Sequence, residues 1–407
     1  MIGDNVPLRG LRVLEIGHFV AAPFATRLLA DLGADVIKIE PLTGDPVRQW
    51  GEQIDGNSLW WSVHGRNKRS VACDLKNPRT KDLILRLVRE CDAVVENFRP
   101  GQLVKLGLGP DVLRKERPDL IVAHISGYGQ SGPYRDRAAF GVIGEAIGGL
   151  RYLTDQPPGV SDLPPVRVGV SIGDSLAGIY AAFGLVAALW QRDRSGGDGL
   201  ARNIDVALTE SVLSLMEGML PEYGKLGKVR QPSGGGIATA APTNAYPSVD
   251  GAFVLIAANS EPLFAKLMTL IGRPDLIGVP RFAGNQQRVE NTLELDELIR
   301  GWSRQHDADT LIRLLAETDI PSSRVYTAAD IAADPQYRER GMVRDVHDDQ
   351  FDGPILHPGV VPRFGDEPSA IRWAGPTIGA HTEDVLHGLL GMSLEDISEL
   401  RAQGAIS

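Results

Sequence analysis

The sequence predicts an α/β protein built on a parallel, doubly wound sheet, and three observations carry that expectation. Short apolar runs alternate with helical segments over roughly the first 150 residues, the pattern of consecutive βαβ units. The first of these units closes with a short crossover and a glycine at the helix end. The chain has 407 residues, more than the roughly 250–300 that one hydrophobic core organises, so a second domain is expected.

In order, Leu11–Ile16 (LRVLEI) reads as a strand closed by Gly17. Ala21–Leu32 carries apolar and small residues at helical spacing, Gly33 fits the C-cap, and Ala34–Glu40 is the second strand. The basic stretch Arg66-Asn67-Lys68-Arg69 precedes a strand at SVACDL; it reads either as a solvated loop or as a landing site for a phosphorylated ligand. Lys81–Glu90 is helical, Asp92–Glu96 a strand, Pro110–Lys115 helical and Leu120–Ile125 a strand. Gly173–Arg194 follows as a long apolar helix ended by RSGGDG, then a strand at Ala201–Ala207 and a helix over Leu208–Met219. Tyr223–Ala241 is Gly-rich and poor in core residues, a linker or loop. From about residue 242 a second unit contributes a strand (FVLIAA), a helix (PLFAKLMTLIG) and helices around Glu294–Ser303 and Ala308–Glu317. The tail returns to short strands and Pro/Gly turns and ends in a helix at Ser393–Gln403.

Composition narrows the function classes. Apolar residues make up 43% and charged residues 23%, as in ordinary globular enzymes. A net charge of −10 disfavours nucleic acid or an anionic membrane as partner. Two cysteines, Cys73 and Cys91, form no disulfide framework and read as small buried hydrophobes in a reduced, cytoplasmic chain. No apolar run approaches the roughly 18–20 residues of a membrane span, and MIGDNVPLRG lacks the features of a signal peptide. The eight histidines form no H-E-x-x-H pair, and His381 and His387 are badly spaced for a helical metal site, so no metal is expected. No G-x-S-x-G elbow or P-loop occurs.

Two motifs could carry chemistry. Gly127-Tyr128-Gly129-Gln130-Ser131-Gly132 spells G-x-G-x-x-G after a strand, and Asp155, after a possible short strand LRYLT, stands near the spacing of a ribose-binding acid. Against an NAD site, YRDR offers no apolar helical stripe and the strand is about the fourth of the domain. The plainer reading is a strand-end turn of the kind that borders α/β sites. Gly173-Asp174-Ser175 precedes the long apolar helix; Asp174 suits a helix N-cap, and the same geometry keeps a carboxylate ionised and available for covalent attack.

Several segments together resemble the family III CoA-transferases, the formyl-CoA:oxalate and carnitine CoA-transferase group. They are VLEIGHFVAAPFATRLLADLGADVIKIEPLTGDPVR, NKRSVACDLKNP, VVENFRPGQLVKLGL, ISGYGQSGPYRDRAAF, GDSLAG, APTNAYPSVDGAFVLIAA and GLLGMSLEDISELRAQGAI, in this order from about residue 9 to the C-terminus. The resemblance implies a homodimer of interlocked rings, each chain with a large Rossmann-like domain (1–222 and 335–407), a linker with a Gly-rich loop (223–241) and a smaller α+β domain (242–334). It implies that Asp174 is the nucleophile, attacking an acyl-CoA thioester through covalent aspartyl intermediates. Coenzyme A, a substrate and not a resident cofactor, would touch His18, Val20 and Ala21; Cys73, Asp74, Leu75 and Lys76; Asn97, Phe98 and Arg99; Lys105; and Arg137 and Phe140. Gly234-Gly235-Gly236 resembles the family's substrate loop.

Departures refine the expectation. Oxalate-using members have Gln where Val20 stands and Arg where Pro41 stands, which argues against oxalate. The racemases of the family place a catalytic His where Phe140 stands, and a phenyl ring takes no proton. The expected reaction is CoA transfer to a small carboxylic acid, a dicarboxylate with succinyl-CoA as donor. The alternatives are an α-methylacyl-CoA racemase-like isomerase, an NAD-dependent oxidoreductase and a non-catalytic acyl-CoA-binding subunit.

Overall fold

The computed structural model of the chain describes residues 6–195, 203–365 and 369–407. Two compact units emerge. One comprises Met1–Leu150, Gly169–Glu217 and Asp334–Ser407; the other comprises Arg151–Val168 and Gly218–Ala333.

The parallel sheet of the larger unit has six strands among the described residues: β1 (Arg12–Ile16), β2 (Asp35–Glu40), β3 (Lys68–Ala72), β4 (Ala93–Glu96), β5 (Ile121–Ser126) and β6 (Asn203–Ala207). Their order is β3-β2-β1-β4-β5-β6, every pair parallel. The winding therefore reverses between β1 and β4, where open α/β sheets place ligands at the carboxyl ends of the strands. Strand residues alternate between two cores. Leu14, Ile16, Val94 and Val122 pack under Leu83, Ile84, Leu87 and Val88 of α2 (Pro78–Arg89). Val13, Val95, Ala123 and Val206 pack under α1 (Ala21–Asp31) and α4 (Ile172–Arg194), through Ala22, Ala25, Ala177, Ala181 and Leu185. The small residues bring these two helices together: a Cβ on Gly178 would stand 2.9 Å from the Ala21 carbonyl oxygen.

α4 departs from one expectation. By length and composition it is apolar enough to cross a membrane, with a mean hydropathy of 1.6. The glycines and alanines spread through it hide that run from a simple reading, and here they seat the helix on the sheet.

Other departures are local. Leu208–Met219 is not one helix: it stops at Leu213 and resumes as Met219–Leu226, with Glu217 at φ 49° in the break. The expected linker therefore starts inside a helix. LRYLT is no strand but the helix Leu150–Leu153, since a short apolar run suits either state. Arg66–Arg69 is neither a solvated loop nor a landing site. Arg66 and Asn67 bind Asp31, Lys68 binds Glu15 and Arg69 binds Asp35. Of the helix-ending RSGGDG and the strand start at Ala201, residues 196–202 lie outside the described residues.

The tail folds back as an antiparallel pair, Val343–Val346 with Ile355–Pro358, and ends in the helix Leu394–Ala402. Ser62 ties the pair down. Its Oγ donates to Asp348 at 2.6 Å and so must accept from His357 Nε2 at 2.9 Å. All three residues are buried, so this is a structural knot and not a hydrolase triad.

The smaller unit has an antiparallel sheet with Phe253–Ala257 between Thr243–Pro247 and Ser322–Arg324. Val254 and Ile256 point into a core filled by Phe264, Leu267, Leu295, Ile299, Leu311 and Leu315 from three helices.

Candidate active site

The turn leaving β1 and the turn leaving β4 meet where the winding reverses. Asn97 accepts from the His18 N–H and donates to the His18 carbonyl, both at 2.9 Å. The His18 and Phe98 rings meet edge to face at 4.8 Å. Gly17 is required here, because a Cβ would fall 2.5 Å from the Ala22 Cβ. Phe19 takes φ 60°, a conformation a side chain adopts only when its surroundings impose it. Asp45 accepts its N–H at 3.1 Å, and its ring touches Trp50 and Phe140 at centroid distances of 5.1 and 6.0 Å. His18 Nδ1 is buried with no hydrogen-bond partner among the described residues, and burial holds the imidazole pKa below its ordinary value.

Beneath this turn lies a buried ion cluster that the strand assignments did not anticipate. Lys38 Nζ stands 2.7 Å from both Glu15 and Asp45 and donates to the Gly17 carbonyl at 2.9 Å. Lys68 Nζ binds the other Glu15 oxygen at 2.8 Å. Burial alone would raise the Glu15 pKa, but the two lysines hold it at about 2. The lysines diverge for a physical reason. Burial disfavours both cations; the Asp45, Glu15 and Glu40 carboxylates outweigh it at Lys38, whose pKa is raised, whereas at Lys68 burial and the Lys38 charge outweigh Glu15 and Asp45 and the pKa falls to about 8. The signal was visible as charged residues inside two otherwise apolar strands, LRVLEI and ADVIKIE.

Asp174 sits in the first turn of α4, whose N-cap is Ser171, so it is not the capping residue itself. Its carboxylate lies against α3 (Gly141–Ile147): a Cβ on Gly141 would meet Asp174 Oδ2 at 2.1 Å, and one on Gly173 would meet the Gly141 carbonyl oxygen at 2.6 Å. Both glycines make the contact possible. The start of a helix favours the ionised carboxylate. Phe140 is the N-cap of α3 and 64% exposed. A continuous path thus runs from His18 and Phe19 through Phe140 and Gly141 to Asp174.

The remaining expected contacts spread around this path. Val20 and Ala21 are buried at the start of α1. Cys73 faces the core, where burial pushes its thiol up to about 12; it is fully buried and its backbone pairs with Glu40 and Ile406, which argues against the expected contact with CoA. The Asp74 N–H binds the Ala405 carbonyl, and Leu75 packs on the core. Lys76, Arg99, Lys105 and Arg137 are exposed, Arg137 lying over the Tyr134 ring at 3.7 Å. Gly234, Gly235 and Gly236 belong to the smaller unit, where Gly234 at φ 64° donates to the Asp155 carbonyl. That bond gives Asp155 a structural role. With no helix opened by Gly132, the dinucleotide reading of GYGQSG falls; the turn is held by Asp205 accepting the Gln130 N–H at 2.9 Å. Among the described residues no cluster of three or more metal-ligating side chains occurs. Phe19, Trp50, Lys38 and Asp45 are the site-forming residues missed by motif.

Comparison with known proteins converges on one group. Residues 8–382 match the model of CoA-transferase family III. The chain is 44% identical over 402 residues to the succinyl-CoA–D-citramalate CoA-transferase of Chloroflexus aurantiacus, covering 98% of each chain. It is 37% identical to the beta subunit of that organism's succinyl-CoA–L-malate CoA-transferase, covering 99% of this chain and 98% of the other. The fold matches the crystal structure of a CAIB/BAIF family protein from Brucella suis with a TM-score of 0.82 at 34% identity, over 95% of this chain and 100% of that one.

Proposed function

The chain belongs to CoA-transferase family III, and we propose that it moves CoA from succinyl-CoA to a four- or five-carbon dicarboxylic acid through covalent intermediates on Asp174. The observation that carries the mechanism is the Asp174 carboxylate packed against Gly141 at the start of two helices, beside the reversal point of the sheet.

In the first step a carboxylate oxygen of Asp174 attacks the thioester carbonyl, the C–S bond breaks, and a succinyl–aspartyl anhydride and CoA thiolate form. The thiolate attacks the Asp174 carbonyl, succinate leaves, and an aspartyl-CoA thioester remains. The acceptor carboxylate attacks that thioester and releases thiolate again, giving an acceptor–aspartyl anhydride. The thiolate then takes the acceptor acyl group and returns Asp174 to its carboxylate. No net proton moves, so no general base is needed. Phe140, a phenyl ring in the racemase His position, suits such a reaction.

CoA is assigned to the reversal point. His18, Val20, Ala21, Asn97 and Phe98 hold the pantetheine side; the backbone around Asp74 and Leu75 brackets the adenine; and Lys76, Arg99, Lys105 and Arg137 meet the phosphates. Gly234, Gly235 and Gly236 are assigned to the substrate loop. The exposed face of α4 supports a homodimer, for which we adopt the interlocked form: Phe183 is 71% and Trp190 64% exposed, with Ile179 and Val186 on the same stripe. A cytoplasmic setting agrees with two buried, unpaired cysteines.

A panel of dicarboxylic and hydroxydicarboxylic acids with succinyl-CoA, followed by chromatography of the CoA esters, tests this. Transfer to at least one member is expected, with Asp174→Ala lowering kcat roughly 10^4-fold or more. Hydrolysis without transfer, or an active alanine variant, would contradict it.

A further inference from the structure

The carboxyl end of β4 carries a second buried polar pair that the reaction does not use. Glu96 closes β4, and His124 is its register neighbour on β5. Glu96 is 3% and His124 8% exposed. His124 Nδ1 hydrogen-bonds Glu96 Oε1, and Glu96 Oε2 accepts the Phe98 N–H at 2.7 Å. Both residues line a cavity of about 400 Å³ together with Arg99, Gln130, Arg135 and Asp205. A buried carboxylate is stable only while its oxygens are hydrogen-bonded, and here one oxygen is held by an imidazole and the other by the backbone of the β4 turn.

That backbone belongs to the turn that grips His18. Asn97 lies between Glu96 and Phe98 and makes both bonds to His18, and the Phe98 ring bears on the His18 ring. We propose that Glu96 and His124 are positioning residues for the CoA subsite: the imidazole anchors the carboxylate, the carboxylate anchors Phe98, and the anchored turn sets His18. The inference rests on CoA lying at the reversal point. Neither residue touches the reacting atoms, so the pair acts on affinity and not on the chemical step. Losing His124 leaves the carboxylate free to turn toward the cavity and release the Phe98 N–H.

The test compares the full chain with His124→Phe, His124→Asn and Glu96→Gln by calorimetric titration with CoA and steady-state kinetics on succinyl-CoA. His124→Phe is expected to raise both the Kd for CoA and the KM about tenfold while kcat changes less than about twofold. Asn can still donate to Glu96, so His124→Asn regains most of the lost affinity. Glu96→Gln, which weakens the acceptor, shifts Kd in the same direction as His124→Phe and decides the matter if the latter does not fold. Wild-type affinity in His124→Phe and Glu96→Gln, a loss confined to kcat, or an Asn variant no better than Phe would overturn the proposal. A wild-type chain that binds no CoA would instead overturn the assignment of CoA to the reversal point, and the pair's role with it.

Discussion

The contact between Gly141 and Asp174 leaves no room for a side chain at position 141. A methyl group on Gly141 would sit 2.1 Å from Oδ2, 2.7 Å from Cγ and 3.1 Å from the Asp174 nitrogen. The side chain can turn aside; the backbone cannot without shifting α4. Gly141→Ala is therefore expected to cost roughly a hundredfold in kcat, because a displacement near 1 Å at a reacting group has that effect. Circular dichroism should change little, and a variant with wild-type kcat would show that the contact does not position the carboxylate. Asp174 was legible in the sequence as a candidate through GDS before an apolar helix, although the helix starts earlier than expected, with Ser171 at the N-cap position and Asp174 inside the first turn. Glu96 and His124 were not legible as a pair. They lie 28 positions apart and meet only when β4 and β5 align.

At the scale of elements, the alternation of strands and helices was readable because buried parallel strands are nearly unbroken apolar runs. Short segments were not readable: Leu150–Leu153 fits helix or strand, and nothing in Leu208–Met219 marks the break at Glu217. Polar residues inside strands held information of another kind. Glu15, Lys38 and Lys68 sit on three adjacent strands, and their ion pairs bind β1, β2 and β3 beneath the site turn. The stability they supply depends on pH with a definite sign. Glu15 has a folded pKa of about 2 against an ordinary 4.5, so its contribution is present above 4.5 and lost as pH falls toward 2. His64 at about 3 and His357 at about 4, both lowered from 6.5 first by burial, act in the same direction, since the unfolded chain takes their protons first. Thermal unfolding is expected to move to lower temperature as pH drops below about 6.5, each histidine contributing a slope of at most about 1.4 kcal/mol per pH unit. His357→Gln should flatten the dependence between 6.5 and 4. An unchanged slope in that variant would show that His357 does not contribute to the pH dependence.

At the scale of the whole molecule, the chain divides between two compact units. The polypeptide leaves the sheet unit at residue 150, returns, leaves again at residue 217 and comes back at residue 334, so the unit that holds Asp174 is assembled from three separate stretches. The returning tail is tied to the end of β3: Ala405 accepts the Asp74 N–H and Ile406 pairs with Cys73. That discontinuity explains why single motifs mislead here. GYGQSG matched a dinucleotide pattern yet serves as a strand-end turn leading to Phe140, and only segments spread along the chain pointed to CoA.

In the proposed reaction Asp174 becomes covalently acylated and then carries CoA as a thioester. The most direct measurement is to mix the enzyme with succinyl-CoA alone, quench with borohydride or hydroxylamine, and map the digest by peptide mass spectrometry. A modified Asp174 is expected, as the reduced alcohol or the hydroxamate, that disappears when acceptor acid is added before the quench. An unmodified Asp174 in enzyme that turns over under the same conditions would contradict it.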